Sequence, residues 1–340
     1  MRALVWGGSG SGKSEFAEGL AVQSASRSAG KRNRSGGEDP SSACGPLLYL
    51  ATMAAEDPES RQRIARHRRL RAGKGFTTLE QYTHLEEVTL PPGTTVLLEC
   101  LSNLVANEMF SQDGRKQDTA RVIREGLFRL ADQAESLIVV SNDVFGDGTC
   151  YPGETESYRH VLAEVNQALA GRFSQAVELV HGVPVYWKGE PEDGIKFRSR
   201  RRQEEAGAMR LVTGGAYQNK LAFACSLTGL AEPRIWDGAQ GEPADWGQVE
   251  VLNHFPELIR HKLLETPEEK ALEILGQIPG QLCRANPSLV VVTREVGCGL
   301  VPLDARERLW REQVGRLSCR LAEQATEVYR VCCGQAQRIK

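Results

Sequence analysis

The chain has 340 residues, 41% of them hydrophobic and 25% charged, with a formal net charge of -2. A nucleic-acid binder would carry a clear basic excess, and a membrane protein an apolar run of about 18 residues; the sequence has neither. The length suffices for two domains of ordinary size, and "MRALVWGG" enters a strand with no signal-peptide pattern, so a cytoplasmic protein is expected.

The first strand runs into Gly7-Gly8-Ser9-Gly10-Ser11-Gly12-Lys13-Ser14, and an amphipathic segment follows. This is a phosphate-loop pattern in its required strand-to-helix context. Glycines let backbone N–H groups converge on phosphate oxygens, and the helix start adds partial positive charge. Lys13 is expected on the β- and γ-phosphates, and the Ser14 hydroxyl on Mg²⁺. Residues 24–46, rich in Ser, Gly and charge, read as a flexible insertion. The apolar runs "LLYLAT", "TTVLLEC" and "SLIVVSNDV" have the character of parallel strands buried on both faces. Between the first two, Ser60 to Glu80 contains His67 in a basic helical run with Arg66, Arg68, Arg69 and Arg71. Histidine can act as a nucleophile on phosphorus, and neighbouring arginines, Arg68 and Arg71 among them, would hold a polyphosphate. A solvated surface histidine is the alternative reading of the residues alone. Glu99, at the end of "TTVLLEC", can reach Mg²⁺ or the nucleotide, or can be a buried capping carboxylate. "DTARVIREGLFRLADQA" places Val122, Ile123, Leu127 and Leu130 on one helical face.

Residues 189–208 read as a linker, and its basic run Arg198 to Arg202 as solvated charge. A second strand then meets "TGGAYQNKLAFA", a damaged copy of the loop in which Asn219 replaces the last glycine, Lys220 is kept and Leu221 replaces the serine. "SLVVVTREV" reads as a strand, and Leu309, Trp310, Val314, Leu317 and Leu321 fall at helical spacing. The expected architecture is therefore an α/β phosphate-loop fold, a mostly parallel sheet flanked by helices, present twice: 1–188 and a degenerate 209–340. The nine cysteines form no metal or disulfide pattern. They read as reduced thiols, with Cys100, Cys298, Cys319, Cys332 and Cys333 expected in apolar packing. His254 and His261 sit in "VLNHFPELIRHKLLE", an apolar setting.

The set "GGSGSGKSEFAE", "LYLAT", "RIARHR", "FTTLE", "LLECLSNLVAN" and "VVSNDV", in that order, resembles the bifunctional adenosylcobinamide kinase / adenosylcobinamide-phosphate guanylyltransferase family of cobalamin synthesis. The resemblance covers the first half nearly throughout, and the second at its front and in "TREVGCGLVPLD" onward. It implies a RecA-like domain that phosphorylates adenosylcobinamide with GTP or ATP, then transfers GMP from GTP through a guanylylated histidine, with Mg²⁺ held by Ser14 and Glu99. His67 matches that histidine; Gly7 to Ser14 match the triphosphate loop; Ala51, Thr52, Glu80 and Glu99 match positions lining the nucleotide. Family members oligomerise, so a homo-oligomer or a pseudo-symmetric pair of halves is expected, with no nucleic-acid partner. Two departures stand out: Asp143 replaces the family glutamate in the first half, and Arg294 precedes Glu295 in the second. Two other readings remain open here: a kinase of another small alcohol without guanylyl transfer, and a non-catalytic nucleotide-binding partner.

Overall fold

A computed structural model describes residues 1–34, 46–54, 58–147, 149, 151–191, 209–266 and 268–340. The first half builds a seven-stranded sheet from β1 (Arg2–Gly7), β2 (Leu47–Ala51), β3 (Thr77–Glu80), β4 (Thr95–Glu99), β5 (Ser136–Asn142), β6 (Gln175–Val180) and β7 (Val183–Lys188). Their spatial order is β3-β2-β4-β5-β1-β6-β7, parallel except for the β6–β7 hairpin. The parallel strands read as apolar runs because helices cover both faces. On one face lies α1 (Lys13–Arg34), which packs Ala17, Leu20, Ala21 and Ala25 on Val5, Leu97 and Ile138. On the other lie α3 (Leu101–Phe110), α4 (Thr119–Gln133) and α5 (Gly153–Arg172). Ile123, Leu127 and Leu130 are buried there as their spacing predicts.

Helix α1 takes in the front of the stretch expected to be a flexible insertion: it continues to Arg34, with Ser24 and Ala25 buried. The small residues let the helix lie close on the sheet, and Ser24 Oγ meets Ser136 Oγ at 2.6 Å. The remainder of the insertion, most of the expected linker and the Arg198 to Arg202 run lie outside the described residues.

The second half builds a smaller sheet from β8 (Arg210–Thr213), β9 (Ile235–Asp237), β10 (Val251–Asn253), β11 (Val290–Val292), β12 (Glu327–Cys332) and β13 (Gln335–Arg338). Its order, β9-β10-β11-β8-β12-β13, reproduces β2-β4-β5-β1-β6-β7 strand for strand. Helices α6 (Lys220–Thr228), α7 (Phe255–Glu265), α8 (Glu268–Ala285) and α9 (Ala305–Gln324) take the places of α1, α3, α4 and α5. What is missing, among the described residues, is the counterpart of β3 and of α2 (Pro58–Arg71), the helix that carries His67. Two folds of one topology therefore stand in tandem, the second shortened at one edge.

Each half sends an apolar side chain into the other: Val183 joins the second core, and Leu300 packs against the first. Cys100 is buried, but Cys332 and Cys333 are exposed, contrary to expectation, because they fall at the end of β12 and in the turn to β13. Among the described residues no helix is long and apolar enough to cross a membrane.

Candidate active site

The phosphate loop joins β1 to α1 at the carboxyl edge of the first sheet, where open α/β sheets bind ligands. Gly10 and Gly12 take φ of 72° and 87°, left-handed values that glycine adopts without a Cβ clash. Lys13 is buried, and its Nζ donates to the Gly8 carbonyl at 3.0 Å, which folds the cation back over the loop. Ser11 Oγ is buried with no hydrogen-bond partner among the described residues, the kind of group a bound phosphate satisfies.

Ser14, in the first turn of α1, donates its hydroxyl to Glu99 Oε1. Tyr49 donates its own to Glu99 Oε2 at 3.1 Å. Burial pushes the Tyr49 phenol far up, and the Glu99 charge adds to the effect, so Tyr49 remains a donor. One turn beyond Ser14, Glu18 points to the same place; burial raises its carboxyl, against the pull of Lys74, to which it is paired. His67 presents Nδ1 at 3.9 Å from Glu99 Oε1. Glu18, His67 and Glu99 each bring a ligating atom within 4.8 Å of the others. The Ser14 hydroxyl beside a carboxylate is an oxygen donor set that suits Mg²⁺.

Of the expected site residues, Gly7 to Ser14, His67 and Glu99 converge. Ala51 neighbours both Glu80 and Glu99 in the strand register, so the three form a row along the carboxyl edge. Glu80 is exposed at that row's end and is held by Arg68 at 2.8 Å and the Tyr82 hydroxyl at 2.8 Å. Two expectations need correction. The Thr52 side chain is not presented to a ligand: it is fully buried, bonded to the Cys100 carbonyl and N–H at 2.8 and 2.7 Å, and so braces the β4–α3 turn. Arg71 is not an open phosphate ligand either; it lies buried, its guanidinium 3.3 Å from the centre of the Tyr49 ring. Its Nη1 is nonetheless buried without a hydrogen-bond partner among the described residues.

Glu18, Tyr49 and Lys74 are site neighbours that sequence reasoning missed. Glu18 carries a signal: an acid at i+4 from Ser14, beside the buried positions Ala17 and Leu20. Tyr49 and Lys74 carry none without the strand register.

The second loop keeps the backbone course and carries different side chains. Tyr217 and Asn219 stand where Gly10 and Gly12 do, at φ of 56° and 65°. Lys220 Nζ donates to the Gly215 carbonyl as Lys13 does to Gly8. Leu221 takes the place of Ser14 and packs against a core cluster. Leu252 pairs with Val291 as Leu98 pairs with Val139, so Asn253 occupies the position of Glu99. His254 is exposed and His261 half-buried, with ring nitrogens 3.0 Å from Asp237 and 3.3 Å from Glu265, and neither joins an apolar core cluster.

The two halves meet beside the intact loop. Ser9 N–H donates to the Gly297 carbonyl at 3.0 Å, and Gly299 N–H to the Asp143 carbonyl at 3.0 Å. Arg330, which holds in β12 the place of Glu178 in β6, pairs with that Glu178 at 2.9 Å and lies 3.5 Å from Glu295. Equivalent positions thus face each other, as across a two-fold axis. Burial raises the Glu295 carboxyl to about 7. His181, fully buried and 2.9 Å from the Thr213 hydroxyl, is lowered to about 4, by burial first and Arg330 second.

Comparison with known proteins gives one family. The model of the CobU family, cobinamide kinase / cobinamide phosphate guanyltransferase, matches residues 3–186 and 240–339. The chain is 31% identical over 196 residues to the bifunctional adenosylcobalamin biosynthesis protein CobP of Pseudomonas aeruginosa, a match covering 56% of this chain and 99% of that one. It is 28% identical over 199 residues to CobU of Escherichia coli, covering 54% and 98%. With CobU of Salmonella typhimurium it shares 31% identity over 180 residues, covering 39% and 99%. Nearly the whole of each relative is therefore accounted for by about half of this chain or less. The loop copy at 214–221 falls outside both family-model segments.

Proposed function

The chain belongs to the cobinamide kinase / cobinamide phosphate guanyltransferase family, and on that premise we propose that its first half carries out both reactions the family is named for. It phosphorylates adenosylcobinamide with a nucleoside triphosphate, then transfers GMP from GTP to give adenosylcobinamide-GDP, in cobalamin biosynthesis. Residues 1–188 form the catalytic domain, 189–208 the connection and 209–340 the second copy, which stands in the place of a neighbouring subunit. A cytoplasmic setting fits the reduced cysteines.

Lys13 and the loop amides hold the triphosphate; the Ser14 and Glu99 oxygens would hold Mg²⁺, which when bound neutralises phosphate charge. The observation that carries the guanylyl transfer is His67 facing Glu99 beside the first turn of α1. With Nδ1 turned to Glu99, Nε2 is the nitrogen we assign to attack on the α-phosphorus of GTP. The N–P bond forms as the bond to pyrophosphate breaks, and Glu99 stabilises the positive charge that develops on the ring. A phosphate oxygen of adenosylcobinamide phosphate then attacks the same phosphorus and releases the histidine. Incubation with GTP labelled at the α-phosphate tests this: acid-labile, alkali-stable label is expected on the protein and lost in His67→Ala. A protein that binds GTP yet takes up no label would refute the nucleophile.

A further inference from the structure

The helix that carries His67 is held in an unusual way. Among the described residues, no side chain of α2 joins any of the four apolar core clusters, and Arg71 is its one buried residue. Polar contacts tie it to the body. His67 faces Glu99, Arg68 pairs with Glu80, Arg71 lies on Tyr49, and Lys74 just beyond the helix pairs with Glu18, all within the first half. Arg66, next to His67, turns the other way, to Glu312 on α9 of the second half. Arg316, one turn along α9, binds the same Glu312 oxygen and fixes the carboxylate in place.

The same stretch of α9 touches the phosphate loop. A Cβ at Gly10 would come within 2.9 Å of the Glu312 carbonyl oxygen, and the Cys319 thiol donates to the Gly10 carbonyl at 3.2 Å. One segment of the second half thus grips both the loop that holds phosphates and the helix that holds the nucleophile. Among the described residues the second half has no counterpart of α2, so no matching pair runs from the first half to the second.

We infer that Glu312 is a positioning residue for the guanylyl transfer: through its ion pair with Arg66, the second half sets where His67 stands relative to the phosphate loop. The inference rests on the reading of His67 as the nucleophile. Attack on phosphorus demands a near-attack geometry, so a change in how α2 is held is felt at His67.

Glu312→Gln keeps the shape and removes the charge. In single-turnover labelling of His67 at saturating GTP, it is expected to slow the rate by about fivefold, the upper reach of a part-exposed ion pair, with GTP affinity unchanged. Arg66→Gln should do the same, and the double variant should be no slower than either single one. Amide exchange across residues 58–71 should quicken in Glu312→Gln while thermal stability holds. A labelling rate indifferent to Glu312, effects that multiply in the double variant, or unchanged exchange in α2 would overturn the inference alone. Absence of label in the unsubstituted protein would overturn the reading of His67 and this inference with it.

Discussion

Gly315 lies in the middle of α9, where the rule for helices says alanine should be better. Glycine costs roughly 1 kcal/mol relative to alanine in a helix interior, through backbone entropy. The structure reverses the sign at this position. A Cβ on Gly315 would sit 2.6 Å from the Ser9 carbonyl oxygen and 2.9 Å from the Gly10 Cα, both main-chain atoms of the phosphate loop. Neither can swing away as a side chain would, so α9 or the loop must shift. Forcing an extra carbon into such a contact costs about 1–3 kcal/mol, and after the helix gain a net loss of about 1 kcal/mol remains for Gly315→Ala. Gly19 supplies the control. It is also inside a helix, it is exposed, and a Cβ there would meet nothing within 4 Å. Gly19→Ala should therefore gain up to about 1 kcal/mol. Urea unfolding followed by tryptophan fluorescence reads both, since Trp310 is buried on α9. Opposite signs are expected for the same chemical change. A Gly315→Ala variant stabilised as much as Gly19→Ala would mean that α9 does not approach the loop, and the account of the interface would fall.

Lys13→Ala should abolish the labelling of His67, whereas Lys220→Ala should leave it within about twofold, because the second loop lacks a hydroxyl at Leu221 and a carboxylate at Asn253; equal losses would contradict the division of labour between the halves. The interface should also show in stability against pH. Glu295 is raised from 4.5 to about 7, so between those values the folded chain holds a proton the unfolded chain has lost, and stability falls as pH rises. His181 is lowered from 6.5 to about 4, so across that window the unfolded chain binds the extra proton and stability rises with pH. The two slopes, each about 1.4 kcal/mol per pH unit, oppose one another between pH 4.5 and 6.5. Glu295→Gln removes one of them, so its thermal stability should climb from pH 5 to 6.5 more steeply than that of the unsubstituted protein; parallel profiles would rule out Glu295 as a proton-holding group.

Features set by neighbouring residues, the phosphate loop and the buried face of α4, were legible in the sequence; contacts between distant segments were not. The phosphate loop could be read because its glycines, lysine and serine act within eight consecutive residues, and each type has a separate physical duty. His67 was less direct, since an arginine-rich helix is compatible with a solvated surface; its meeting with Glu99 depends on β4 and β2 lying side by side. Thr52 shows the opposite failure. Family resemblance alone sets it at the nucleotide, yet here its hydroxyl satisfies the backbone of Cys100 and the residue is fully buried. Ser24 to Arg34 misled through composition: few large apolar residues suggested an unfolded segment, whereas Ser24 and Ala25 are small enough for the helix to continue against the sheet. The pairs that join the halves, Glu178 with Arg330 and Arg66 with Glu312, span 152 and 246 positions and leave no pattern in the chain.

The internal comparison between the halves explains why a damaged copy still folds and what it still does. The second half lacks, among the described residues, the groups to which the proposed chemistry is assigned: the loop serine, the strand-end glutamate, and the β3 and α2 edge. β3 lies at the margin of the first sheet, so its absence leaves the order of the other strands unchanged. What remains is what touches the first half: Gly297 beneath Ser9, Gly315 against Gly10, Arg330 opposite Glu178. Each of these contacts depends on a residue type that its counterpart position does not carry, Phe145 for Gly297 and Glu178 for Arg330 among them. Identical halves would place Glu178 against a second glutamate, a like-charge contact in a buried setting. The arginine converts that repulsion into attraction between the two halves of the chain.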